Sequence, residues 1–497
     1  MALSTTDNGA VALKSTSNVI VDFFSMFLRC IDTELMSDYL EKCWKTDPRK
    51  TVAIIFNARD REAGKKEKNI SNRAMIWLRR NKQNTYLKNI HKYVTKYGCW
   101  KDITYIARKN PINNHLELNL ITNQLRLDYQ NLKTGKNNEV SLCAKWCPSE
   151  RDKNDKEFGM ASKVADELFP NDTKKMEKYR KEIIVPLRKQ IKIVEQLMTS
   201  NRWKQIQYDK VPAVASKRLR NAFMKHDPDG YNDFLQKVAR GEKKIKITGI
   251  LPHELVGYYL KNNVTSPDET IELQWKTLVE ATKNLGTLNN ILPIVDVSGS
   301  MYSTPANVPP IYVSIALGIL IAECNTGPLH RKVVSFHKEP SIFSIKGETL
   351  FEQVNNLSKI SAGLNTNFEA VFDLLLNAAE MFNINQENMP DMVVVLSDMQ
   401  YDEASNNVTE NTLHNSILTK YETKGYNPPK FIYWNLSSQH DETFPVKSVT
   451  DNVAIISGFS EQLLKVFINS DDFNPESIVN EILSKYENEI EIDPVDI

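Results

Sequence analysis

The stretch Ile291-Leu-Pro-Ile-Val-Asp296-Val-Ser298-Gly-Ser300-Met301 decides how this chain is read. A short apolar run, Ile291–Val295, ends on a carboxylate, followed by two hydroxyls spaced two residues apart. Such a run reads as a buried strand with a polar loop at its carboxyl end. Four more runs follow, at Val333–Phe336, Met392–Leu396, Phe431–Trp434 and Val453–Ile456. They alternate with helical patterns at Ile311–Cys324, Phe368–Phe382 and Glu410–Tyr421, and a last one beginning near Ser460. This alternation predicts a mostly parallel, doubly wound sheet.

In an open sheet of that kind, the loops beyond the strand carboxyl ends converge on one crevice. Asp296 lies at the end of the first strand, and Asp398 at the end of Met392–Ser397. Asn365-Thr366-Asn367 precedes a helix between them. Carboxylate and hydroxyl oxygens without thiolate or imidazole suit a hard cation, Mg²⁺ or Mn²⁺. Asp296, Ser298, Ser300, Thr366 and Asp398 are the expected ligands. The competing reading makes Ser298 a turn residue and Asp398 a helix cap.

Upstream the pattern changes to helices. Ile20–Leu40 is amphipathic, as is Ile70–Lys82, where Ile70, Ala74, Trp77 and Leu78 share a face. Further helices are expected at Leu87–Tyr97, His115–Tyr129, Lys178–Met198 (kinked or divided at Pro186), Ala213–Met224, Tyr231–Arg240, Pro252–Asn262 and Glu269–Thr282. No exact repeat is present, so an irregular helical array is expected rather than a consensus solenoid. The fold class is multidomain: a helical array over residues 18–285, then an α/β Rossmann-like domain over residues 286–490.

The length of 497 residues suits two or three domains, and 41% hydrophobic with 25% charged residues excludes a disordered polyelectrolyte. The net charge of +1 conceals a division. Residues 1–290 carry 52 Lys+Arg against 34 Asp+Glu, a balance of +18, and residues 291–497 carry 11 against 28, a balance of −17. Residues 71–110 hold ten Lys+Arg and one acid, Asp102, interleaved with Trp77, Tyr86, Tyr93, Tyr97, Trp100 and Tyr105. Cations neutralise phosphates and exposed rings stack on bases, so the segment reads as a nucleic-acid surface. Its expected contacts are Arg73, Arg79, Arg80, Lys92, Lys96, Trp100 and Lys101, with Lys217, Arg218 and Arg220 from a second basic run. The plainer reading is core aromatics beneath a solvated charged face.

Six cysteines do not form a disulfide framework, and Cys143 and Cys147 lack a second pair for zinc. No leader-like start and no long apolar span are present, so a soluble intracellular protein with no membrane association is expected. Asn407-Val-Thr409 then reads as a chance glycosylation match. His337 has no partner suggesting catalysis, and Gly241, Gly249 and Gly425 form no phosphate loop, so no enzyme is expected.

The set Asp296, Ser298, Ser300, Thr366 and Asp398 resembles the metal-ion-dependent adhesion site of the von Willebrand factor A domain family. That resemblance implies the first three in the opening metal loop, a hydroxyl from Thr366, and support of the ion by Asp398. Met301 matches the common Gly-Ser-Met continuation; Gly363-Leu-Asn-Thr366 departs from the usual Gly-Gly-Thr turn. The basic half resembles the helical module of the Ro ribonucleoprotein autoantigen family, and more closely an uncharacterised family of plants, fungi and large DNA viruses. Three stretches carry this: Asn57–Glu67, His91–Asp102 and Ala144–Glu150. In the first, Arg59, Asp60, Gly64 and Glu67 match, while Glu62, Ala63 and Lys66 depart.

The +18 balance of the helical part and its basic, aromatic 71–110 segment, together with this resemblance, lead to the expectation of a non-enzymatic RNA-binding or ribonucleoprotein scaffold protein with a divalent-metal interaction site, its partner RNA or single-stranded nucleic acid. The alternative is a metal-dependent protein-docking or virion component whose partner offers an acidic side chain to the metal. A cytoplasmic location is expected, or a virion if the source is a large DNA virus.

Overall fold

The computed structural model describes residues 3–110, 113–150, 153–261, 264–303, 308–336, 340–358, 367–401, 413–437, 443–469 and 472–497. It combines a helical N-terminal region with a C-terminal mixed sheet. Two compact units are present, each drawn from more than one stretch of the chain. The first comprises residues 1–70, 212–217 and 244–490; the second comprises residues 71–211, 218–243 and 491–497.

In the first unit, β1 (Leu3–Thr5) and β2 (Val11–Leu13) form an antiparallel hairpin. β3 (Leu288–Asn289) pairs in parallel with β5 (Asn325–Thr326). The main sheet contains β4 (Ile291–Asp296), β6 (Lys332–Phe336), β7 (Ser341–Ser344), β8 (Met392–Ser397), β9 (Lys430–Asn435) and β10 (Val453–Ser457). Its order is β10-β9-β8-β4-β6-β7, parallel throughout except for the antiparallel edge strand β7. All five runs read from the sequence are strands. β7 escaped because its alternating intermediate and exposed positions give no apolar run.

β4 and β8 are buried along their whole length, as continuous apolar runs require when both sheet faces are covered. On one face, Ile294, Val395, Phe431 and Ile455 pack with Phe368 and Phe372 of helix Phe368–Met381 and Ile417 of helix Leu413–Thr423. Helix Pro310–Cys324, apolar around nearly its whole circumference, packs against β4, β6 and β8. Gly318 permits that approach: a Cβ there would lie 2.6 Å from Val295 Cγ2.

The N-terminal helices complete this unit. Val19–Met26 packs on β10, and Pro48–Arg59 packs on Pro475–Glu487. The single helix expected over Ile20–Leu40 is instead two, Val19–Met26 and Thr33–Thr46. Asp32 starts the second by accepting from the backbone N–H of Glu34 (2.7 Å) and Leu35 (3.3 Å). An uninterrupted apolar period hid that cap.

The Asn57–Glu67 stretch is a buried polar anchor. Lys65, with no exposed surface, donates to Phe24 O at 2.6 Å and to Ser457 Oγ at 2.7 Å. Its ammonium lies 4.0 Å from the centroid of the Phe24 ring. Arg29 Nη2 donates to Glu67 at 2.6 Å and Lys66 to Glu461 at 2.7 Å. A Cβ on Gly64 would stand 2.0 Å from Asn57 O, so only glycine fits this turn.

The second unit is helical. Gln83–Lys92 continues into a π-turn at Tyr93–Tyr97, and helices Trp100–Arg108, His115–Lys133, Met160–Leu168 and Pro228–Ala239 follow. The segment expected over Lys178–Met198 is divided, though beyond Pro186: the π-turn Tyr179–Ile184 leads directly into Val185–Gln190 with the proline in its first turn, and after a break at residues 191–193 a new helix runs Val194–Thr199. Internal polar groups tie the array together. Tyr86 donates to Glu117 at 2.8 Å, Tyr93 to Asn72 at 2.7 Å, and Arg188 to Ala144 O at 2.9 Å.

Candidate metal centre and basic segment

β4 lies at the switch point of the sheet. From it the chain first builds β6 and β7 on one side, then crosses to build β8, β9 and β10 on the other. The register Val295↔Leu396 between parallel β4 and β8 sets Asp296 level with Ser397 and carries both chains into loops at the same sheet edge. This is where an open α/β sheet forms its crevice.

Asp296 is fully buried, and Ser298 and Asp398 nearly so. Ser397 Oγ donates to Asp296 Oδ2 at 2.6 Å, and the backbone N–H of Ser298 donates to Asp296 Oδ1 at 2.9 Å. The hydroxyls of Ser298 and Ser300 are 3.1 Å apart, so the two expected hydroxyl ligands do meet. Burial, and next the negative charge of Asp398, raise the Asp296 carboxyl from its ordinary 3.8 to about 7. The bonds from Ser298 and Ser397 act in the opposite direction but do not prevail.

Two carboxylates thus repel one another in a desolvated crevice, with two hydroxyls alongside. The donors are all oxygen, as Mg²⁺ or Mn²⁺ requires. Among the described residues no three His, Cys, Asp or Glu side chains gather into a metal-binding group. The donor set here is two carboxylates and two serines, and these residues fit a hard cation. Thr366, the fifth expected ligand, lies outside the described residues, as do His337 and Asn407–Thr409. Asn367, next to Thr366, caps helix Phe368–Met381 by accepting from Ala370 N–H at 3.1 Å.

Residues passed over by the sequence reading also serve the crevice. Ser397 bridges Asp296 and the Met399 N–H, the latter at 3.1 Å, and Gln400 N–H donates to Asp398 Oδ1 at 3.3 Å. Ser397 was hidden because its role depends on the β4–β8 register, which brings it level with Asp296.

The basic segment is arranged differently from its expected use. Trp77, Tyr86, Tyr93, Tyr97 and Trp100 are buried, and Tyr105 is half-buried. The interleaved rings are therefore mainly core, and Trp100 is not an exposed stacking platform. Arg79 is likewise internal: its guanidinium pairs with buried Glu117 and donates to Asn113 O. Lys92 pairs with Glu491 at 3.1 Å, Lys217 with Glu254, and Arg218 with Glu195 at 3.6 Å. Arg80, Lys96 and Lys101 are exposed, while Arg73 and Arg220 are half-buried. Lys101 lies over the Trp146 ring at 5.1 Å.

Cys143 and Cys147 bring their sulfurs to 3.8 Å inside the helical unit. Burial raises the Cys143 thiol well above its ordinary range.

Residues 6–114 and 115–288 match the profile described as Domain of unknown function (DUF2828). Residues 290–497 match Domain of unknown function (DUF7788). The chain is 33% identical over 516 residues to "Uncharacterized protein L728" of Acanthamoeba polyphaga mimivirus, covering 97% of this chain and 88% of that one. Among solved structures, it is similar to the crystal structure of the Deinococcus radiodurans RO (RSR) protein. Identity there is 12%, coverage 94% of both chains, and the TM-score 0.34.

Proposed function

The chain belongs to the family described as Domain of unknown function (DUF2828), and from that premise we propose that it is a divalent-cation-dependent docking protein. One observation carries this reading: Asp296 and Asp398 lie buried where adjacent parallel strands end at the sheet's switch point, and the Ser298 and Ser300 hydroxyls stand 3.1 Å apart in the loop after Asp296. Asp296, Ser298, Ser300 and Asp398 would hold the ion, and Thr366 is proposed as the ligand from the neighbouring loop. A bound Mg²⁺ or Mn²⁺ supplies a positive point charge that an acidic side chain of a partner can complete. This is also what the likeness to the von Willebrand factor A family supports. No covalent chemistry is assigned to the site.

The partner is a protein offering a carboxylate, in the cytoplasm or within a viral particle. The test is affinity recovery from cells expressing the tagged chain, in Mg²⁺ and in chelator, with Asp296→Ala alongside. The reading expects partners present only with metal and absent from the variant. Identical partner lists in all arms count against it.

A second reading, RNA or single-stranded nucleic acid binding, rests on the exposed cations Arg80, Lys96 and Lys101 and on the charge balance of the first 290 residues. With the segment's rings largely internal, the reading relies on phosphate contacts and predicts weak, steeply salt-dependent binding with little sequence preference. Filter binding of labelled single-stranded RNA across a salt series checks it; no retention at low salt ends it.

A further inference from the structure

The loop carrying Asp398 is held from a distant part of the chain. Thr6 Oγ1 donates to Tyr401 O at 2.6 Å, Asp7 N–H donates to Gln400 Oε1 at 2.7 Å, and Asn8 Nδ2 donates to Gln400 O at 3.1 Å. Nearly four hundred residues separate the partners. Gln400 is buried and uses its own N–H to bond Asp398 Oδ1. It therefore joins the β1–β2 hairpin on one side to the candidate ligand on the other.

The loop needs such support. Met399, between Asp398 and Gln400, has φ +69°, a left-handed conformation that strains a residue carrying a side chain. Its side chain lines a small apolar cavity together with Ala10, Val11 and Ala12 of the hairpin and Tyr401. The Tyr401 ring stacks on Phe368 at 4.7 Å. The hairpin is itself fixed to the unit: Leu13 and Phe444 exchange two backbone hydrogen bonds of 2.9 Å, and Ala10 belongs to the sheet core.

We infer that the β1–β2 hairpin is a clasp that positions Asp398 for the metal, with Gln400 as the positioning residue. The metal half of this inference rests on the docking function proposed above; the clasp itself does not. A hydrogen-bonded path runs from Asp7 through Gln400 to Asp398, while Ser397 links the base of the same loop to Asp296. Detaching the hairpin leaves the left-handed turn at Met399 without its anchor and lets Asp398 move away from the geometry that a small cation demands.

The test uses the full chain carrying Gln400→Met or Thr6→Val, with Thr6→Ser as the conservative variant that keeps the hydroxyl. Amide hydrogen exchange reads the loop, and Mn²⁺ titration followed by electron paramagnetic resonance reads the site. Both disruptive variants should exchange the Met399–Tyr401 amides about tenfold faster while the sheet strands stay protected. Manganese affinity should fall about three- to tenfold, the size expected for one lost hydrogen bond, and Thr6→Ser should restore both readouts. Unchanged exchange overturns the clasp even when manganese binds. Faster exchange with unchanged manganese affinity overturns the positioning role. A wild-type chain that binds no manganese overturns the metal reading, and the exchange data then decide the clasp alone.

Discussion

Ser397 and Asp296 stand side by side at the carboxyl ends of two adjacent parallel strands, and the Ser397 hydroxyl donates to the Asp296 carboxylate at 2.6 Å. That bond places one oxygen of Asp296, while the charge of nearby Asp398 acts against ionisation of the same group.

A pH dependence follows for the metal-free protein. The Asp296 carboxyl is raised from 3.8 to about 7, so between these values the folded state binds a proton that the unfolded chain releases. Its contribution to stability is complete below 3.8 and is lost as pH rises through about 7, at no more than about 1.4 kcal/mol per pH unit. Urea unfolding in chelator should show that decline, and Asp296→Asn should remove it. Added Mg²⁺ should flatten it in the wild type, because a cation stabilises the ionised carboxylate.

Lys65 predicts the reverse slope. Burial lowers its ammonium to about 7 from an ordinary 10.5, with Glu67 acting in the opposite sense. Between those values the unfolded chain holds the proton and the folded one does not, so stability rises with pH there. Comparing denaturant midpoints of wild type and Lys65→Met from pH 7 to 10 isolates the effect: the difference should move in favour of the wild type as pH increases.

Arg79 and Arg80 are neighbours with different fates. Removing Arg79 strands Glu117 in the interior, and Arg79→Ala should destabilise by about 3–5 kcal/mol. Arg80 is exposed, and Arg80→Ala should change stability by less than about 0.5 kcal/mol. Thermal unfolding of the two variants checks this, and similar melting temperatures would contradict the burial of Arg79.

The sheet was legible because buried parallel strands are largely apolar runs, as Ile291–Val295 and Met392–Leu396 are. Its ligand-bearing ends were legible for the same reason, since each run stops one or two residues before a carboxylate. In the basic segment the choice between core rings and a stacking surface was not legible, because composition cannot report direction: Trp77 and Arg79 are two residues apart, and both are buried. The assignment of residues 1–70 to the sheet unit was hidden as well, because helix Val19–Met26 carries an apolar face without naming the surface it covers. The role of Gln400 depends on a contact with residues 7 and 8, which no local pattern encodes.

Gly64→Ala offers a test of the buried anchor. A Cβ at this position meets the Asn57 carbonyl at 2.0 Å, and the neighbour is backbone that cannot swing aside. The variant should unfold at least about 3 kcal/mol more easily than the wild type, or fail to accumulate as soluble protein. A normal melting temperature would contradict the turn's geometry.

Manganese binding to the purified full chain bears most directly on the central claim. Titration followed by electron paramagnetic resonance should reveal one bound ion per chain, displaced by excess Mg²⁺, and weakened at least about tenfold by Asp398→Asn or Asp296→Ala while the fold persists. Equal binding by wild type and both variants, or none by any of them, would contradict a cation held between these two strand ends.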